Sequence, residues 1–251
     1  MPSYLETNNR RIAYHKTEGQ GVGVVFLGGF KSDMEGTKAV YLQEWARANG
    51  RPFLRFDYSG HGQSSEDFVD GCIGDWARDA MDAINTLTQG PQVLVGSSMG
   101  GWISLLVCRA MPEKVCGLVG IAAAPDFTED SMWANFDADQ RRAILEDGRL
   151  ELPSDYSDEP YIITKKLIED GRDQLVLRTP LSLPFPVRFL QGTADVDVDR
   201  SVALQLLDHV TGDDVRLTLV KGANHSFSSP ECLTMITDAI DQVTAEGLTR
   251  R

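Results

Sequence analysis

Three residues of this chain have the types and the order for nucleophilic acyl chemistry. Ser98 stands in Gly96-Ser97-Ser98-Met99-Gly100, with Asp195 and His225 after it. A serine hydroxyl is a weak nucleophile at its own pKa and needs a base within hydrogen-bond reach. Neutral imidazole supplies one, with a pKa near working pH. A buried carboxylate then fixes the imidazole tautomer and stabilises the imidazolium that forms. Two other acids compete with Asp195: Asp197, two residues on, and Asp126, at the end of the preceding apolar run. His61 competes with His225, but it precedes the serine, which is the wrong order for this constellation. His15, in an N-terminal hairpin, and His209, in a helix, read as surface residues. Asp57, followed by Tyr58-Ser59-Gly60, reads as a turn-former.

The serine must be held where its hydroxyl can be attacked from and attack. Gln92-Val93-Leu94-Val95 is an apolar strand, and a helical pattern begins directly after Ser98, so the serine sits at a sharp strand-to-helix turn in strained backbone. Gly96 and Gly100 fit positions where strand and helix pass too close for a Cβ. The first helical amides point at whatever Ser98 attacks, and an oxyanion needs two such donors. One is assigned to the amide of Met99. The other is assigned to the amide of Phe30, in the Gly28-Gly29-Phe30 loop after the strand Val22–Leu27. The bland alternatives are a Gly/Ser turn and a Gly-Gly turn without chemistry.

The elements that would position these residues alternate. Tyr4–Asn8 and Arg11–Lys16 predict a hairpin. Strands are expected at Val22–Leu27, Pro52–Phe56, Val93–Ser97, Val115–Ala124, Val187–Leu190 and Val215–Val220. Helices are expected at Thr37–Asn49, Trp76–Thr88, Met99–Ala110, Val198–Val210 and Pro230–Thr244, with Leu248–Arg251 as a frayed tail. The pattern predicts an α/β fold with a mostly parallel sheet covered on both faces, its ligand site outside the carboxyl ends of the strands. Between Asp126 and Leu183 the parallel-strand rhythm stops. Helical patterns at Asp137–Asp147 and Tyr161–Glu169, with Phe127, Met132, Trp133, Phe136, Tyr156 and Tyr161 among acids, predict a helical cap inserted in a single domain spanning 1–251. Trp133 and Phe136 are the candidate lining of a substrate pocket.

Composition narrows the class. A chain of 251 residues buries about 70–75% of its unfolded surface and needs neither disulfide nor metal for its core. A net charge of −13 disfavours nucleic acid and anionic membrane surfaces as partners. Cys72, Cys108, Cys116 and Cys232 have no C-x-x-C or metal-ligand spacing, which points to a reducing compartment and no metal. Met1–Glu6 lacks the apolar core of a signal peptide, and no run of 18 apolar residues exists, so a cytoplasmic protein without a membrane span is expected.

With Gly96-Ser97-Ser98-Met99-Gly100, Asp195 and His225 in that order, the chain resembles the α/β-hydrolase superfamily over nearly its whole length. Phe26-Leu27-Gly28-Gly29-Phe30-Lys31-Ser32-Asp33-Met34-Glu35-Gly36-Thr37-Lys38-Ala39 and Arg55-Phe56-Asp57-Tyr58-Ser59-Gly60-His61-Gly62-Gln63-Ser64 resemble one branch of it. That branch holds mitochondrial acyl-protein thioesterases and acyl-glucuronide esterases together with bacterial relatives. The resemblance implies hydrolysis of thioesters or esters through an acyl-enzyme, without a cofactor, on small-molecule or acyl-protein substrates. Ser98 would be the nucleophile, Asp195 the acid and His225 the base. It leaves other reactions of the scaffold open, among them small-ester, carbon–carbon and perhydrolase chemistry, and also a silent ligand-binding homologue. Many members carry a histidine where Gly28 stands, so the oxyanion loop of this chain must be ordered by other contacts.

Overall fold

The computed structural model describes residues 1–153 and 160–249. Twelve strands are present among them: β1 (Ser3–Thr7), β2 (Arg10–Thr17), β3 (Gly23–Leu27), β4 (Phe53–Phe56), β5 (Gln92–Ser97), β6 (Val115–Ile121), β7 (Arg149–Leu152), β8 (Tyr161–Thr164), β9 (Leu181–Ser182), β10 (Val187–Gly192), β11 (Val210–Thr211) and β12 (Val215–Val220). The helices are α1 (Thr37–Ala48), α2 (Ile73–Leu87), α3 (Met99–Ala110), α4 (Ala138–Arg142), α5 (Lys165–Asp173), α6 (Arg200–His209) and α7 (Pro230–Thr249).

Eight strands form one sheet in the order β1-β2-β4-β3-β5-β6-β10-β12. All neighbours from β4 to β12 pair in parallel, and the β1–β2 hairpin joins antiparallel at the β4 edge. The expected sheet is the observed one. Its central strands β3, β5 and β6 are buried on both faces, which is why they read as apolar runs. Side chains alternate across the pleat. Val25, Leu27, Leu54 and Leu94 pack with Trp76, Ala80 and Ile84 of α2 and Trp102, Ile103 and Leu106 of α3. Val24, Phe26, Phe53, Val93 and Val95 pack on the other face with Ala39, Leu42 and Ala46 of α1 and Leu233, Ile236 and Ile240 of α7. No helix among the described residues is long and apolar enough to cross a membrane.

Between β6 and β10 the chain makes a π-helical turn at Thr128–Trp133, α4, a second at Ala143–Asp147, the antiparallel β7–β8 hairpin, and α5. The helix expected over Tyr161–Glu169 begins late. Tyr161–Thr164 is strand, and Thr164 caps α5 by accepting from the Leu167 N–H (3.1 Å). Helix α7 runs on to Thr249, past the expected end at Thr244 and into the segment expected to fray. Of the residues read as cap, Ser154 and Tyr156 lie outside the described residues, as do Arg250 and Arg251 at the terminus.

Candidate active site

Ser98 is the turn residue between β5 and α3, at φ 55° and ψ −119°. A non-glycine residue at such a φ costs roughly 1–3 kcal/mol and persists only where its surroundings dictate it. Here the Ser98 N–H donates to the Ile121 carbonyl (2.9 Å), while the Ser98 carbonyl accepts from Gly101 (2.9 Å) and Ala124 (3.1 Å). The turn is thereby fastened to the end of β6. A Cβ on Gly96 would lie 2.3 Å from the Gly100 carbonyl oxygen, and one on Gly100 would lie 2.0 Å from that of Leu27. Helix α3 therefore sits directly on the end of β3, so that the serine and the loop after β3 are neighbours. A Cβ on Gly29 would be 3.5 Å from the Ser98 Cβ. Met99 is the first residue of α3, where a backbone N–H has no intrahelical acceptor.

The loop after β3 carries no histidine at Gly28 and is ordered in other ways. The Gly29 carbonyl accepts from both the N–H (3.2 Å) and the Oγ (2.8 Å) of Ser32. The Tyr58 hydroxyl donates to the Gly28 carbonyl (3.4 Å), and the Lys31 N–H donates to Nε2 of His61 (3.3 Å). Asp57, read as a turn-former, accepts from the N–H groups of Met34 (2.6 Å) and Gln63 (2.9 Å), tying this loop to the one after β4.

His225 follows β12 and Asp195 follows β10, and the two turns are packed together. A Cβ on Gly192 would meet the Ala223 carbonyl oxygen at 2.1 Å, and the Ala194 N–H donates to that same carbonyl (3.0 Å). Nδ1 of His225 lies 2.9 and 3.1 Å from the two carboxylate oxygens of Asp195. The Asp195 side chain is fully buried. It also accepts from Gln191 Nε2 (3.0 Å) on Oδ2, and from the N–H groups of Asp197 and Val198 (both 2.9 Å) on Oδ1. Burial pushes its pKa up, but the His225 and backbone hydrogen bonds outweigh that and hold it below the usual carboxylate value. The group is an anion facing an imidazole nitrogen, the arrangement that makes the other ring nitrogen a base.

Of the competing residues, Asp197 lines the same cavity as His225 and offers an oxygen within 4.8 Å of it, but Nδ1 of His225 bonds to Asp195; the others are elsewhere or otherwise engaged. Asp126 is buried at φ 56° and accepts from the N–H groups of Val176 (2.8 Å) and Leu177 (3.0 Å), away from His225. Asp199 caps α6 through the Ser201 N–H (2.8 Å). His61 is buried between the loops after β3 and β4. His15 and His209, expected at the surface, are half-buried. His15 pairs with Glu35 (3.3 Å), and His209 Nε2 is 2.8 Å from the Thr179 carbonyl.

Ser98 and His225 line one cavity of about 600 Å³. Its apolar wall comes from Phe30, Phe127, Met132, Leu152, Tyr161 and Ile163. Phe30 stacks on Tyr161 at 6.0 Å and meets Phe127 edge-on at 5.6 Å. Neither Trp133 nor Phe136 lines it, contrary to expectation. The Trp133 ring is covered by the guanidinium groups of Arg141 (5.4 Å) and Arg172 (4.7 Å), and Phe136 is buried in the core beneath. Lys38 reaches the cavity from α1 and donates to the Ser226 carbonyl beside His225. Burial pulls its pKa down to about 8. Tyr161 was among the cap aromatics read from the sequence, whereas Lys38 and Gln191 were missed and carried no signal. For a metal, Asp195, Asp197 and His225 offer donor atoms within 4.8 Å of one another among the described residues. Both Asp195 oxygens are already occupied as described, so an ion there would compete with His225.

A model of the alpha/beta hydrolase family matches residues 24–238. The mitochondrial palmitoyl-protein thioesterase ABHD10 of Rattus norvegicus is 34% identical over 233 residues, covering 92% of this chain and 78% of the relative. The crystal structure of a putative hydrolase from Agrobacterium vitis S4 superposes with a TM-score of 0.92 at 37% identity, covering 97% of this chain and 98% of that one. Mouse alpha/beta hydrolase domain-containing protein 10 superposes with a TM-score of 0.89 at 32% identity, over 96% and 97% of the two chains. The sheet order, the strained serine turn and these matches agree: the chain belongs to the alpha/beta hydrolase family.

Proposed function

We propose that this protein is a serine hydrolase that cleaves acyl thioesters and carboxylic esters through an acyl-enzyme on Ser98. The observation that carries the reading is the buried Asp195 carboxylate on Nδ1 of His225, with His225 and a strained Ser98 opening into the same largely apolar cavity. The thioesterase name of the ABHD10 relatives supports the choice of bond. In this reading Ser98 Oγ attacks the acyl carbonyl carbon as His225 takes the hydroxyl proton. The tetrahedral oxyanion is held by the N–H groups of Met99 and Phe30. His225 returns the proton to the departing thiolate or alkoxide, then activates water to release the acid. The segment from Asp126 to Leu183 acts as a cap, and Phe30, Phe127, Met132 and Tyr161 receive the acyl chain. No cofactor enters the scheme. A reducing, cytoplasm-like setting is our reading of four cysteines that form no disulfide, although the ABHD10 relatives are named mitochondrial.

The test is covalent labelling with a fluorophosphonate, alongside thiol release from acyl thioesters of graded chain length. Wild type is expected to label and turn over, and Ser98→Ala to do neither. A wild type that labels on Ser98 yet leaves thioesters and aryl esters intact overturns the substrate reading. A wild type that does not label overturns the mechanism.

A further inference from the structure

His61 is the one buried histidine at the strand ends that the acyl chemistry does not use. Its ring is 4% exposed and lies edge-on to Tyr58, Phe68 and Trp76, with centroids 5.6, 5.1 and 5.1 Å away. Nδ1 is 3.2 Å from the Ser59 carbonyl, and Nε2 is 3.3 Å from the Lys31 backbone nitrogen. A carbonyl can only accept and a backbone N–H can only donate. The tautomer is therefore settled by its neighbours: Nδ1 carries the proton and Nε2 accepts from Lys31. Ser59 is itself anchored, donating through N–H (2.9 Å) and Oγ (2.6 Å) to Asp79 of α2, while its carbonyl also accepts from Trp76 Nε1 (3.0 Å). A line of hydrogen bonds thus runs from α2 through Ser59 and His61 to the backbone of Lys31.

The peptide it reaches is the one just after Phe30. A peptide unit is planar, with N–H and C=O pointing in opposite directions. The unit carrying the Phe30 N–H also carries the Gly29 carbonyl, which is pinned by Ser32. The next unit ends in the Lys31 N–H, which is pinned by His61. The two planes that flank Phe30 are thus each held by a neighbour, Ser32 on one side and His61 on the other. They need holding, because Lys31 stands at φ 56° without being glycine. Burial lowers the His61 pKa to about 4, so Nε2 keeps its lone pair at neutral pH.

We propose that His61 is a positioning residue that aims the Phe30 amide at the oxyanion, the role left open by the absence of a histidine at Gly28. The inference rests on the preceding reading, in which the Phe30 amide is an oxyanion donor to an adduct on Ser98. Complete loss of one such donor costs about 10²–10³ in rate, and misdirecting a retained donor costs part of that.

The experiment compares wild type, His61→Phe, which keeps ring and packing but has no acceptor, and His61→Gln, whose Oε1 reaches the place of Nε2. Acyl-thioester hydrolysis gives kcat and KM. An alkylboronic acid, which forms an anionic tetrahedral adduct on serine, reports on the oxyanion site, and the product fatty acid reports on ground-state binding. For His61→Phe, kcat is expected to fall roughly 10- to 100-fold with KM within about threefold. Boronate affinity should fall in parallel and fatty-acid affinity should stay unchanged, while His61→Gln recovers most of both losses. His61→Asn, which keeps the bond to Ser59 and falls short of Lys31, replaces the Phe variant should that fail to fold. The proposal is overturned if the acceptor-less variant folds and keeps kcat within twofold, or if it and His61→Gln lose kcat equally with boronate affinity intact. Wild type that hydrolyses normally beside an unaffected variant sinks this inference alone. Wild type that neither labels nor hydrolyses sinks the reading beneath it.

Discussion

Replacing Asp195 by Asn should be far more damaging than the change of one atom suggests, and the structure says which way the amide will face. Oδ1 accepts two backbone N–H groups, from Asp197 and Val198, both at 2.9 Å. Those donors cannot rotate away, so in the variant they keep the side-chain oxygen. The amide nitrogen is then left in the place of Oδ2, against Nδ1 of His225 (2.9 Å) and the Gln191 amide (3.0 Å). Two donors would face a third. The cheapest escape is for the imidazole to move its proton to the other nitrogen, presenting Nδ1 as the acceptor. The other ring nitrogen, the base in the proposed scheme, then carries a proton and cannot take another. In the worked serine-protease case, an equivalent wrong-tautomer substitution costs about 10⁴ in turnover. At about 1.4 kcal/mol per decade that is between 4 and 6 kcal/mol of barrier for a loss of 10³–10⁴. The assay is thiol release from a short acyl thioester, with KM expected to move less than about threefold, since Asp195 is not itself part of the cavity lining. Fluorophosphonate labelling should slow in step with kcat. A variant that retains its fold and stays within tenfold of wild type in kcat would refute the tautomer argument and with it the assignment of Asp195 as the acid.

Other outcomes follow from the same geometry. Ser98→Gly and Ser98→Ala should both be inactive, but the Gly variant should be the more stable by about 1 kcal/mol in thermal melts, because only glycine is at ease at φ 55°. Gly100→Ala should destabilise by about 3 kcal/mol in denaturant titration and abolish turnover, since the new methyl would meet the Leu27 and Gly28 carbonyl oxygens at 2.0 and 2.6 Å. Phe127→Trp should crowd the cavity between Phe30 and Trp102, lowering kcat/KM for a palmitoyl thioester at least about tenfold relative to a hexanoyl one. His61, with its folded pKa lowered to about 4, binds fewer protons folded than unfolded between that value and 6.5. Stability is therefore present above pH 6.5 and drains away as pH falls through this window. His61→Phe should lack that component, amounting to about 2 kcal/mol, when unfolding free energies at pH 7 and pH 4.5 are compared.

The strands ahead of Ser98 and of the Gly28-Gly29-Phe30 loop were legible because each is buried on both faces and shows as an unbroken apolar run, Val24-Val25-Phe26-Leu27 and Val93-Leu94-Val95, whereas β12, ahead of His225, is half-buried and interrupted by Arg216 and Thr218. The serine turn was legible because its geometry demands glycines at fixed offsets. The β7–β8 hairpin was not. Arg149-Leu150-Glu151-Leu152 alternates over only four residues, and Tyr161–Thr164 runs directly into the helical spacing of Leu167 and Ile168, so a helix over Tyr161–Glu169 fits the pattern as well as a strand. Thr164, a helix-capping residue, was the available clue. Trp133 was misread because an aromatic among charged residues can line a cavity or lie beneath guanidinium groups, and only the placement of Arg141 and Arg172 decides. The contact of His61 was invisible for a different reason. It depends on a backbone N–H thirty residues away, which has no side-chain signature at all.

The segment from residue 122 to residue 186 leaves and re-enters the sheet between two strands that are hydrogen-bonded neighbours, with Val187 paired to Leu118. Its ends are thus fixed one strand across the sheet and three residues apart along it, whatever lies between them. The entropy of closing such an excursion grows only logarithmically, by about 0.6 kcal/mol for each doubling of its length. Closure entropy is thus a small term, and what a shorter excursion would lose is packing, because Phe136, Ile144, Leu167 and Ile168 reach the core from it. The chemistry at the strand ends is anchored by the sheet register and by the first residues of the excursion, where the Ala124 N–H holds the Ser98 carbonyl. Insertions that leave those core side chains and Ala124 in place are the changes such an excursion accepts at little entropic cost.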